Sequence, residues 1–189
     1  DDAGAREFVA TLDEREHPTA TLVSPSMAAF QGPALVAFND AAFTARDFAS
    51  IQRLGDSLKQ RDDDDDDGDA SRQRQQPKRS SSSSNKTGRF GIGFNSVYHL
   101  SELPSFASGT KVVYFDPQAR FLPGVHPSNP GKMIDVQRDA RLLRAKPDQF
   151  AGLRRLDHGW DPPSKMTGDK TTKPFSFKGT VFRLPLRTE

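Results

Sequence analysis

The sequence contains no cysteine, which excludes disulfides and thiolate metal sites and fits a reducing, cytoplasmic setting. No apolar run approaches the ~20 residues that a membrane-spanning helix needs. Only 34% of the residues are apolar, below ordinary globular usage, and the shortfall is attributed to one polar insertion rather than to general disorder. An excess of one charge sign is missing too: 27 Lys and Arg face 25 Asp and Glu, for a net charge of +2. That balance supplies no basic face for nucleic acid or for an anionic membrane.

Several catalytic signatures are also missing. No G-x-x-x-x-G-K-[ST] occurs, so a Walker-type phosphate loop is excluded. His17, His99, His126 and His158 are scattered, with no i, i+4 pair and no carboxylate at ligand spacing, so no zinc site is expected. Ser96 does not stand in a G-x-S-x-G elbow. Trp160 near Arg154 and Arg155 reads as packing and surface.

What the sequence does have is Gly88-Arg89-Phe90-Gly91-Ile92-Gly93-Phe94 running into Asn95-Ser96-Val97-Tyr98. Glycines admit φ > 0 and bring bare N–H groups close to an anion, and a following helix adds unpaired donors at its start. Phe94, Val97 and Tyr98 recur at i, i+3 and i+4, which places one helix face on a core. The spacing G-x-x-G-x-G after a Ser-rich coil fits poorly with a dinucleotide loop, which is G-x-G-x-x-G after a strand. On composition alone, a phosphate loop and a structural turn are equal readings.

The length, 189 residues, predicts a single domain over residues 1–189, interrupted at about 56–87 by an insertion. Within that insertion lie six consecutive aspartates (Asp62 to Asp67) and five serines (Ser80 to Ser84). Such a segment buries too little surface to offset ordering, and its place before the glycine loop suits a lid. The opening Asp1-Asp2-Ala3-Gly4-Ala5 has no initiator Met and no helix start signal. It is expected to be a fragment cut inside an upstream element, with residues 2–6 the end of a helix.

Strands are predicted over 8–12, over Ala34 to Phe38 as a run buried on both faces, over 111–115, and over 180–186 with Pro185 at a sheet edge or strand end. Thr44 with Asp47 predicts a capping box, Phe43 with Phe48 a hydrophobic staple, and Phe48, Ile51 and Leu54 a buried face ending at Gly55. The helix after the glycine loop is expected to reach about Leu103 and stop at Pro104. Residues 121–135 read as an irregular loop, and 147–156 as a helix with Phe150, Leu153 and Leu156 inward.

Taken together, DDAGA (1–5), QGPALVAFND (31–40), FTARDFASIQRLG (43–55), KTGRFGIGFNSVYHL (86–100), FDPQARFLPG (115–124) and TVFRLPLR (180–187) resemble the GHKL ATPases. That group holds gyrase, the ninety-kilodalton heat-shock chaperones, histidine kinases and mismatch-repair proteins. Within it, the stretches most resemble the repeated chaperone-like regions of sacsin type. The resemblance implies an α/β fold: a Bergerat-type α+β two-layer sandwich, with a mixed, mostly antiparallel sheet, helices on one face and a disordered lid.

It also implies ATP or ADP with Mg²⁺ as cofactors, and client proteins or a seventy-kilodalton-type chaperone system as partners. Asp2 and Ala3 match the end of the family's first motif, whose catalytic Glu and Mg²⁺-binding Asn are expected upstream of Asp1, so no catalytic or metal-ligating residue is assigned. At the adenine position the family's glycine-bearing Asp motif is replaced by Phe38-Asn39-Asp40-Ala41-Ala42-Phe43. Asn39 is the preferred acceptor and Asp40 the alternative. Phe43 matches a position packing on adenine, Lys59 a lid lysine that contacts phosphates, and Thr180 a threonine sharing a water with the adenine-recognising residue. Gly88, Phe90, Gly91, Ile92, Gly93 and Phe94 form the matched glycine box.

Gly91→Val is expected to weaken adenine-nucleotide affinity, because a β-branched side chain blocks both φ > 0 and close approach. Calorimetric titration checks this, and unchanged affinity would reduce the loop to a turn.

Overall fold

The computed structural model describes residues 4–49, 51, 92–153 and 177–187. These build one six-stranded sheet in the order β1-β2-β6-β3-β4-β5. The strands are β1 (Phe8–Asp13), β2 (Ala34–Asn39), β3 (Ser105–Gly109), β4 (Lys111–Phe115), β5 (Gly131–Asp135) and β6 (Phe177–Pro185). Every neighbouring pair is antiparallel. This is the expected α+β class, with short helical segments on both faces of the sheet rather than on one.

Side chains alternate across a strand, so the register separates two cores. Ala107, Val112, Tyr114, Ile134, Val36, Phe38 and Val181 point to one face. There they meet Met27 and Phe30 of a 3₁₀ helix (Pro25–Phe30), Leu143 of the α-helix Ala140–Ala145, and Phe150 and Leu153 of a second 3₁₀ helix (Pro147–Leu153). Phe106, Val113 and Phe115 point to the other face, with Phe182 and Met133 packed partly against them. Phe48 and Ile51, helical at 45–49 and 51, and Phe94 and Tyr98 of the segment at 92–99, cover that side.

The helix that begins at residue 45 starts as its residues dictate. Thr44 N–H donates to Asp47 Oδ2 at 2.8 Å, and Asp47 N–H donates back to Thr44 Oγ1 at 3.3 Å, which is the reciprocal capping box. The Phe43 and Phe48 rings meet edge to face, 5.3 Å between centroids, as the staple. Leu54 and Gly55, like the insertion at 56–87, lie outside the described residues.

Other expectations are corrected. Residues 4–7 are not helical, and Gly4 sits at φ 68°. β2 is not buried on both faces: Ala34, Val36 and Phe38 are buried, while Leu35, Ala37 and Asn39 are half-exposed. Its second face continues onto the outward side of β1, where Phe8 is 70% exposed and Leu12 53%. The glycine-loop helix is shorter than expected, α-helical over Ile92–Asn95 and 3₁₀ over Ser96–His99. The segment that follows is strand β3, buried on both faces, whose small residues Ser105, Ala107 and Ser108 conceal a strand from propensity.

Strand β5 falls in the expected loop 121–135, because Gly131 and Pro130 punctuate it like a turn. The 147–156 helix is 3₁₀ where described, and Leu156 lies outside. Of the two readings of Pro185, the strand end holds: it is the last residue of β6, which is internal to the sheet. The FDPQARFLPG stretch owes its form to Asp116, fully buried, whose carboxylate accepts N–H bonds from Arg120, Phe121 and Leu122 at 2.7–3.1 Å.

Thr44→Ala is expected to cost about 1 kcal/mol by removing this cap. Chemical denaturation measures it, and a change within experimental scatter would contradict the capping role.

Candidate functional site

Four of the sequence-derived residues converge on the aromatic face of the sheet. In register, Asn39 of β2 stands beside Thr180 of β6, and Thr180 beside Ser108 of β3. Thr180 and Ser108 are both fully buried, so their hydroxyls must find partners inside the protein. The Thr180 hydroxyl donates to Ala41 O at 2.8 Å. The Ser108 hydroxyl donates to Gly179 O at 3.0 Å and accepts from Phe43 N–H at 2.8 Å, and the two hydroxyl oxygens lie 2.9 Å apart.

These bonds clamp the 39–43 turn onto the sheet. Inside the turn, Asn39 Oδ1 accepts from Ala41 N–H at 3.1 Å, an Asx turn. One lone pair of Oδ1 and the amide N–H₂ remain for other contacts. Asp40 has a different position. It is exposed, and its Oδ1 accepts from Arg6 N–H at 2.8 Å and Glu7 N–H at 3.1 Å. The Glu7 and then the Arg6 hydrogen bonds hold its carboxyl below the usual carboxylate range. Asp40 thus ties down the chain entering β1, and Asn39 is the residue held at the Thr180 side.

An aromatic layer joins the turn to the glycine-loop helix. Phe43 is half-buried, with its centroid 4.9 Å from Phe106 and 6.2 Å from Phe182. Phe94 approaches the same layer from the helix, 5.0 Å from Phe115 and 6.3 Å from Phe182. Phe182 therefore touches both segments. Lys111 Nζ lies 5.0 Å above the Phe48 ring and places a cation on this face. Tyr98 packs edge-on to Phe94, and burial pushes its phenol up to about 12. Arg187 binds the helix end through Tyr98 O at 2.9 Å.

The structure thus brings Asn39, Phe43, Phe94 and Thr180 to one face, with Asp40 at its margin. Asp2, Ala3, Lys59, Gly88, Phe90 and Gly91 lie outside the described residues, and Ile92 and Gly93 are described only as helical backbone. Among the described residues no group of three or more His, Asp or Glu side chains is placed to hold a metal ion. Sequence reasoning missed Ser108 and Gly179. A lone serine carries no local signal, whereas a glycine directly before Thr180 marks a bulge or a close approach.

That close approach is severe. Gly179 adopts φ 102°, and a Cβ there would overlap the Asn39 carbonyl oxygen and press on Phe38 and Asp40. The register between β3 and β6 shifts at this point. Gly179→Ala is expected to cost about 2 kcal/mol or more in thermal or chemical denaturation. Unchanged stability would contradict the placement of the turn.

A family model, the Sacsin domain, matches residues 1–67 and 71–189 of this chain. The unmatched residues fall within the polar insertion. Human sacsin is 34% identical over 194 aligned residues, covering 100% of this chain and 4% of that protein. The chain therefore spans a small part of a relative of much greater length. With both matches running through the clamped turn, the aromatic layer and strand β6 alike, the chain belongs to the sacsin-domain family.

Proposed function

We propose that this chain is an adenine-nucleotide-binding domain of a sacsin-type chaperone, built on the GHKL (Bergerat) plan. One observation carries the reading: the aromatic layer holds the 39–43 turn and the glycine-loop helix against the same face of one antiparallel sheet. An adenine pocket and a phosphate loop must be neighbours to serve one ligand. In this reading Asn39 meets the adenine edge with its free lone pair and amide, and Phe43 offers its exposed part to the ring. The glycine box and Lys59 meet the phosphates.

Thr180 takes a modified part. Its hydroxyl is committed to Ala41 and Ser108, so it acts by holding the turn. The residues fit a nucleotide in chemical kind: an amide beside an aromatic ring, next to a glycine-rich helix start. Nucleotide binding would bias a larger assembly that handles client proteins in the cytoplasm.

A second reading, a scaffold of the same fold that needs no nucleotide, draws on one observation. The Thr180, Ser108 and Phe43 polar groups are satisfied by one another without a ligand. Titration calorimetry of the domain, extended toward its N-terminus, separates the two with Mg-ATP and Mg-ADP. Saturable binding below millimolar concentration is expected. A folded domain that binds neither nucleotide at millimolar concentration would sink the first reading in favour of the scaffold.

A further inference from the structure

On the sheet face opposite Thr180, Arg183 is 4% exposed and forms no ion pair shown among the described residues. Its two terminal nitrogens donate to Phe30 O at 2.6 Å and Gly32 O at 2.7 Å, so the guanidinium closes the end of the first 3₁₀ helix. Gly152 is flat against it, and any Cβ there would overlap Nε and Cζ. Arg183 Nε has no partner among the described residues, and neither do Gln149 Nε2 and Gln31 Oε1. Gln149 and Gln31 are 3% and 4% exposed. These are three of the four such buried side-chain atoms, the fourth being Ser101 Oγ.

All three residues line one cavity, together with Tyr114, Ser105 and Leu103, whose space for the centre of a water molecule is about 10 Å³. The amide of Gln149 cannot simply turn over, because its Oε1 accepts from Val23 N–H at 3.2 Å and fixes Nε2 as the free donor. Two donors and one acceptor therefore surround room for a single small molecule. An anion would meet the Gln31 carbonyl oxygen, whereas water accepts two hydrogen bonds and donates one. Orphaned polar atoms gathered around one cavity are where internal water is found.

The geometry points to a binding site for one ordered water molecule, bridging Arg183 Nε, Gln149 Nε2 and Gln31 Oε1. That water joins both 3₁₀ helices to β6 and completes the solvation of a buried cation. Its site is independent of the nucleotide reading, since it lies across the sheet.

Two measurements test it. A high-resolution crystal structure of the domain, with a parallel bromide soak, is expected to show a water peak about 2.7–3.2 Å from all three atoms and no bromide signal. No peak, or anomalous bromide density, overturns the proposal. Gln31→Met removes the side-chain amide, its acceptor included, at nearly constant volume, and is expected to lower the melting temperature by about 2–8 °C. A raised melting temperature would mean that the Gln31 oxygen was a buried orphan relieved by an apolar side chain, and would overturn the water site. The crystallographic arm decides alone if the variant does not fold.

Discussion

Everything in this domain depends on β6 pairing along both of its edges. It hydrogen-bonds β2 on one side and β3 on the other, and without it the sheet separates into β1-β2 and β3-β4-β5. Its alternation assigns each side chain a separate task. Val181 and Arg183 serve the face closed by the 3₁₀ helices, and Thr180 and Phe182 serve the aromatic face. The bulge at Gly179 sets that phase, because a strand slipped by one residue would exchange the two sets.

Magnitudes separate what holds the site together from what gives it shape. Burying a Phe side chain is worth about 1.5–3 kcal/mol, and the rings of Phe43, Phe48, Phe94, Phe106, Phe115 and Phe182 share one layer. A buried hydroxyl bond contributes about 0.5–1.5 kcal/mol net. Cohesion therefore comes from the rings, and orientation from the hydroxyls. Thr180 and Ser108 select one arrangement of the 39–43 turn among those the rings would tolerate, which makes the turn's position a property of β3 and β6 rather than of its own sequence.

The difference between local and distant causes explains what could be read from the sequence. The Thr44–Asp47 box, the Phe43–Phe48 staple, and strands β1, β2 and β4 are written in adjacent residues, and they are found where those residues place them. β3 was hidden because its position between β6 and β4 selects small side chains, and β5 because turn-forming residues surround it. The central place of β6 is a matter of topology, which Pro185 leaves open because it is the last residue of the strand. At the site, Asn39 and Phe43 were legible from their motif. Their clamp was not, because Ser108 lies 65 residues from Phe43.

The central claim is that the 39–43 turn and the glycine-loop helix are two walls of one nucleotide site. Amide NMR of the domain titrated with Mg-ADP tests it most directly. The account predicts that resonances of residues 39–43 and 94–98 shift together along one binding curve, while those of Gln149 and Gly152, across the sheet, stay in place. Shifts confined to the opposite face, or no shifts at millimolar nucleotide, would contradict it.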